Sequence, residues 1–123
     1  MNSKILIVED EEALYNVVKE EFEAKGYKIK VAKDGGVALE MARSFNPDII
    51  LLDLILPKKG GLEVLADLKA DPALKAIPVI VLSNLSESEN IKKALLLGAQ
   101  DYFVKTQYSI YEVIEKVQKY LVK

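Results

Sequence analysis

Five short aliphatic runs recur along the 123-residue chain, and each is followed by a stretch with helical spacing. The densest run, Ile49-Ile50-Leu51-Leu52 up to Asp53, shows no polar alternation, the pattern of a strand buried on both faces. Residues 4–8, 77–82 and 101–104 are strand-like in the same way. Residues 27–31 differ: Tyr27, Ile29 and Val31 alternate with Lys28 and Lys30, which suits an edge strand on which lysine discourages stray pairing. Strand–helix alternation repeated in this way implies a parallel sheet with helices on both faces and right-handed crossovers. In such sheets ligands gather at the carboxyl ends of the strands, near the topological switch point.

The helical segments carry their own punctuation. A first helix is predicted over about residues 11–25, with Leu14, Val17, Val18 and Phe22 as its apolar stripe, Glu11 and Glu12 in the first turn and Gly26 as the C-terminal cap. Asp34-Gly35-Gly36 marks a turn and helix start, Val37, Leu39, Met41, Ala42 and Phe45 follow, and Asn46-Pro47 closes the segment. The third helix begins at Gly60-Gly61, carries Leu62, Val64, Leu65 and Leu68, and stops at Asp71-Pro72. Ser86-Glu87-Ser88-Glu89 announces the fourth, with Ile91, Ala94, Leu95 and Leu96, closed by Gly98. The last places Ile110, Val113, Ile114, Val117 and Leu121 on one face and is expected to run to Lys123 with no output segment after it. One domain over residues 1–123 is the expectation at this length.

Composition narrows the chemistry. There is no cysteine, which excludes disulfides and thiolate metal sites, and no histidine, which removes the usual general base and any phosphohistidine carrier role. Lys and Arg total 17 against 19 for Asp and Glu, so there is no general basic excess to suggest direct nucleic-acid binding. Neither a signal peptide nor a membrane-spanning stretch is evident, and a cytoplasmic protein is the default expectation.

Four predicted strands end in polar groups: Glu9-Asp10, Asp53, Ser83 and Lys105. Three carboxylates brought together repel unless a proton or cation joins them, and all-oxygen donor sets favour magnesium or calcium. A carboxylate can also attack phosphorus to give an acyl phosphate, whose oxygens then need positive charge and hydrogen-bond donors. Magnesium, Lys105 and the Ser83 hydroxyl would supply these, with Asp53, on the central strand, as nucleophile.

Taken together, Val8-Glu9-Asp10-Glu11-Glu12, the Leu51-Leu52-Asp53-Leu54 to Pro57 segment with Gly60-Gly61, Pro78-Val79-Ile80-Val81-Leu82-Ser83, and Gly98-Ala99-Gln100-Asp101-Tyr102-Phe103-Val104-Lys105 resemble the response-regulator receiver domains of two-component signalling. The resemblance spans essentially the whole chain. It implies a doubly wound (βα)5 three-layer sandwich, flavodoxin-like, with a five-stranded parallel sheet of order 2-1-3-4-5. It implies Asp53 as phosphoacceptor, magnesium held by Asp10 and Asp53 with Glu9 acting directly or through water and the Ile55 backbone carbonyl completing the set, Ser83 as the switch hydroxyl, Tyr102 as a rotating aromatic, and Lys105 paired with the phosphoryl oxygens. The implied donor is a phosphohistidine on a sensor kinase or phosphotransfer protein, docking on the first helix. An unknown downstream protein would read the face made by the fourth helix, fifth strand and fifth helix. The implied assembly is a monomer or a phosphorylation-dependent dimer.

Several residues depart from the family pattern. Lys105 is followed by Thr106 where proline is usual, so the bond is expected to be trans, or cis under strain, with a repositioned loop. Asn84 stands where a small residue is preferred, and Ile55 and Leu85, both apolar, border the path of a hydrolytic water, which predicts a long-lived phosphorylated form. Leu96, Leu97, Tyr108 and Tyr111 are either incidental surface residues or an apolar signalling patch. Three other functions remain open: a phosphorylation-independent scaffold; an aspartyl-phosphate phosphatase, which would need an acid where Ile55 stands; and a nucleotide or flavin module, which would need a phosphate-cradling loop where Glu9-Asp10-Glu11-Glu12 stands.

Overall fold

The computed structural model describes residues 3–121. The strands are β1 (Lys4–Val8), β2 (Lys28–Ala32), β3 (Ile49–Leu52), β4 (Val79–Ser83) and β5 (Asp101–Val104). The helices are α1 (Glu12–Ala24), α2 (Gly35–Phe45), α3 (Gly61–Ala70), α4 (Ser88–Leu96) and α5 (Ile110–Leu121). The expected end of the last helix at Lys123 lies outside the described residues.

The runs without alternation take the middle of the sheet. Its order is β2-β1-β3-β4-β5, every pairing is parallel, and β3 and β4 are buried along their whole length. The lysine-studded β2 lies at one edge, with Lys28 and Lys30 exposed. Because side chains alternate along a strand, each central strand feeds two cores. Leu6, Val8, Ile50, Leu52, Val79 and Val81 face Ala38 and Ala42 of α2, Val64, Leu65 and Leu68 of α3, and Ala94 of α4. Ile5, Ile7, Ile49, Leu51, Ile80 and Leu82 face Tyr15, Val18 and Phe22 of α1 and Val113, Ile114 and Val117 of α5. The result is three layers. Each fully buried aliphatic or aromatic side chain stabilises them by about 1.5–3 kcal/mol relative to an exposed one.

The helix signals mostly operate as predicted. The Asp34 Oδ1 accepts hydrogen bonds from the Gly36 and Val37 amides at 2.7 and 3.1 Å and so caps α2. Asn46 at φ 50° closes the same helix. The faces need correction in three places. In α1, Tyr15 is buried and Val17 is exposed. In α2, Val37 is exposed and the small residues Ala38 and Ala42 pack on the sheet. In α4 only Ala94 is buried, while Leu95 and Leu96 face outward, and Glu87 at the N-terminal boundary makes no side-chain cap.

Candidate functional site

Parallel strands deliver their following residues to one edge. β1 and β3 are adjacent, and the strand order reverses between them, so Glu9 and Asp10 come beside Asp53. Backbone bonds fix the approach: the Asp53 amide donates to the Val8 carbonyl at 3.0 Å, and the Glu9 amide donates to the Ala32 carbonyl at 3.0 Å. One carboxylate oxygen from each of Glu9, Asp10 and Asp53 lies within 4.8 Å of the others. Glu9 and Asp53 are buried at 4% and 5% exposure, and Asp10 is exposed.

Lys105, just after β5, reaches across to this cluster. Its Nζ lies 2.9 Å from Glu9 Oε1, 3.0 Å from Asp53 Oδ2 and 3.7 Å from Glu11 Oε1. Burial opposes its charge, but the hydrogen bonds to Glu9 and Asp53 outweigh that and raise its pKa. Burial, with the negative charge of Asp53, pushes the Glu9 carboxyl up to about 7, although bonds from Lys105 and the Glu11 amide pull the other way. One lysine thus faces three carboxylates, and a proton or cation is needed to balance them.

The donor chemistry fits a hard divalent ion. Asp10 offers exposed oxygens. Asp53 directs Oδ2 to Lys105 and accepts at Oδ1 from the Ile55 amide at 3.2 Å. Glu9 has both oxygens engaged, one by Lys105 and the other by the Glu11 amide at 3.1 Å, which suits contact through water better than direct ligation.

Ser83, at the end of β4, is fully buried, and its Oγ accepts from the Leu85 amide at 3.3 Å. The Lys105 amide donates to the Ser83 carbonyl at 2.9 Å, so hydroxyl and lysine are tied across the β4–β5 pair. Tyr102 is half-buried and turned toward the same loop, where its hydroxyl donates to the Leu85 carbonyl at 2.6 Å. Burial raises its pKa. No peptide bond among the described residues is cis, so Lys105-Thr106 is trans. Ile55 is half-exposed, and Asn84 is exposed beside Lys105. An open groove of about 410 Å³ leads away from Lys105 between α1 and α5, bordered by Glu11, Leu14, Val17, Asn84, Tyr108 and Ile110.

Glu9, Asp10, Asp53, Ile55, Ser83 and Lys105 therefore lie at one end of the sheet, whereas Tyr102 sits within β5 opposite Val81 and reaches the β4–α4 loop through its hydroxyl. Glu11 is an addition: the sequence suggested a helix-dipole role, whereas the structure also places it near Lys105. Its position directly after the strand-end acids was the available signal.

A doubly wound parallel α/β protein with an acidic, lysine-bridged centre at the switch point is the class these features define. Within that class the chain matches the response regulator receiver domain over residues 5–118 and belongs to that family. It is 37% identical over 121 residues to the alkaline phosphatase synthesis transcriptional regulatory protein PhoP of Bacillus subtilis, covering 98% of this chain and 49% of that protein. The chain thus spans about half the length of that relative. To the polar-differentiation response regulator DivK of Brucella ovis it is 34% identical over 124 residues, covering 98% of each. The structure of the phosphorylated cyanobacterial phytochrome response regulator RcpA superposes with a TM-score of 0.89 at 33% identity, over 99% of this chain and 96% of that one. The fold is the flavodoxin-like receiver fold. Among the described residues no helix is long and apolar enough to cross a membrane.

Proposed function

We propose that this chain is a phosphorylation-activated signalling switch whose phosphoacceptor is Asp53. The observation that carries this reading is the Lys105 ammonium held against Asp53 Oδ2 at 3.0 Å, with the Asp10 and Glu9 carboxylates grouped beside Asp53. A phosphohistidine of a sensor kinase or phosphotransfer protein is the donor. The Asp53 carboxylate attacks phosphorus, the P–N bond breaks, and the electron pair stays on the departing imidazole. Asp10 and Asp53 would hold magnesium, with Glu9 directly or through water and the Ile55 carbonyl completing the set, and the ion would supply positive charge for the phosphoryl oxygens. Lys105 shifts from ion pairs with Asp53 and Glu9 to the new phosphoryl oxygens. The Ser83 hydroxyl turns from the Leu85 amide to donate to the phosphoryl group, and Tyr102 leaves its bond to the Leu85 carbonyl and rotates into the vacated space. The switch is then a local electrostatic change biasing a two-state packing of β4, α4, β5 and α5.

The groove between α1 and α5 opens beside Lys105 with Val17 exposed at its wall, which supports docking of a donor helix there. The downstream target is a protein that reads the α4–β5–α5 face. Compartment and assembly follow the same reading: a cytoplasmic protein, monomeric or dimerising on phosphorylation. The phosphatase alternative is disfavoured because Ile55, two residues after Asp53, offers no general acid.

Incubation with magnesium and acetyl phosphate, or with magnesium and beryllofluoride, tests this directly. Mass spectrometry is expected to find one added phosphoryl group on Asp53, and NMR is expected to shift the Ser83 and Lys105 amides. Asp53→Asn should abolish both. A chain that takes up neither reagent would sink the reading while leaving the fold intact.

A further inference from the structure

Among the described residues no side chain from the end of β2 joins the acidic centre, and the Asp34-Gly35-Gly36 turn after it takes no part in the chemistry above. The same turn touches the loop that follows Asp53. Gly35 is buried, and its amide donates to the Pro57 carbonyl at 3.2 Å. A Cβ at Gly35 would overlap the Lys59 carbonyl oxygen and stand 2.7 Å from the Lys59 carbonyl carbon, so the two backbones are in direct contact. Between these two contacts lies Lys58, in the left-handed region at φ 69°, with its ammonium 3.9 Å from Asp34 Oδ2. The Lys59 amide also returns to the Pro57 carbonyl at 2.8 Å, which makes a tight reversal at the point of contact.

We propose that the Asp34-Gly35 turn is a positioning brace for the metal site: it fixes from behind the loop that presents the Ile55 carbonyl, and it depends on residue 35 having no side chain. This rests on the reading of Glu9, Asp10 and Asp53 as a magnesium site. The physical need is specific to a backbone donor. A carboxylate can re-aim by rotating its side-chain torsions, whereas a carbonyl points where its peptide plane points. The loop is pinned at its origin by the Ile55 amide on Asp53 Oδ1 and at its exit by the Gly61 amide on the Leu54 carbonyl at 3.0 Å. Residues 57–59, in between, are held by Gly35 and Asp34. The brace is itself rigid, because Asp34 Oδ1 accepts from the Gly36 and Val37 amides and the helix that follows packs through Ala38 and Ala42.

The test is isothermal titration of the full chain with magnesium chloride, paired with thermal melts in EDTA. Gly35→Ala is expected to weaken magnesium binding about tenfold, the low end for a partner that orients a metal ligand, and to shift the Ile55 amide resonance. Val117→Ala, buried in the opposite core, serves as a control: it should lower the melting temperature and leave magnesium affinity unchanged. Should Gly35→Ala not fold, Asp34→Ala loosens the same turn without inserting a side chain and is expected to weaken magnesium binding and shift the Ile55 amide resonance. Wild-type affinity in the foldable variant overturns the brace, as does an equal loss in Val117→Ala. Absence of magnesium binding by the unaltered chain overturns both the brace and the metal reading, so the two failures are distinguishable.

Discussion

Glu9 is 4% exposed, with Lys105 on one oxygen and the Glu11 amide on the other. Burial first, and Asp53 second, raise its pKa from 4.5 to about 7. The sign follows: between those two values the folded chain holds a proton that the unfolded chain has lost, so this group's contribution to stability falls as pH rises through that window. A divalent cation beside Glu9 favours the ionised form, so binding must release the proton wherever Glu9 still carries it. Magnesium affinity is therefore expected to be about tenfold weaker at pH 6 than at pH 8, with proton release that grows as pH falls. Calorimetry in two buffers of different ionisation enthalpy measures both; a flat pH profile would place Glu9 outside the coupled set. The strand-end groups Glu9, Asp10, Asp53, Ser83 and Lys105 were legible in sequence because a parallel sheet sends every strand end to one side. The Gly35–Lys59 contact was not, because it joins residues distant in sequence through loop geometry that no local pattern encodes, and the Glu11–Lys105 approach was only hinted at by the place of Glu11 directly after the strand-end acids.

The elements divide in the same way. β1, β3 and β4 were readable as buried because both faces of each are covered, leaving no polar alternation. Helix faces were less so. In α4 the run Leu95-Leu96-Leu97 covers every side of the last turn, so periodicity cannot choose a face, and the contact actually made is through Ala94. In α1, Tyr15 completes the buried stripe with Val18 and Phe22, while its ring lies 5.6 Å below the Lys33 ammonium. This gives a direct contrast between two leucines. Leu68 in α3 is 1% exposed and packs on the sheet, so Leu68→Ala is expected to cost about 2–5 kcal/mol in urea unfolding. Leu96 is 86% exposed, so Leu96→Ala should change stability by less than about 0.5 kcal/mol. A loss of comparable size at Leu96 would mean that α4 packs through a different face.

Across the molecule, folding gathers three acids at one end of a chain whose formal net charge is only −2. Lys105 pairs with Glu9, Asp53 and Glu11; among the described residues no lysine or arginine pairs with Asp10. Asp10 thus lies among like charges with no ion pair of its own, an arrangement expected to cost the apo fold stability, as a preformed cation site would. Asp10→Asn removes that repulsion without orphaning a partner, so its melting temperature in EDTA should equal or exceed that of the unaltered chain by about 1–3 °C. The same substitution is expected to weaken the proposed cation site. Magnesium at a hundred times its dissociation constant stabilises a binding-competent fold by about 2.7 kcal/mol, an increment the variant should largely lose. The ranking is therefore expected to invert: the variant is at least as stable in EDTA, and the unaltered chain is more stable in saturating magnesium. Paired melts under the two conditions decide it. A variant that is less stable in EDTA would show that Asp10 supports the fold itself, and that the acidic centre is not held at a cost to stability for the sake of its ligand.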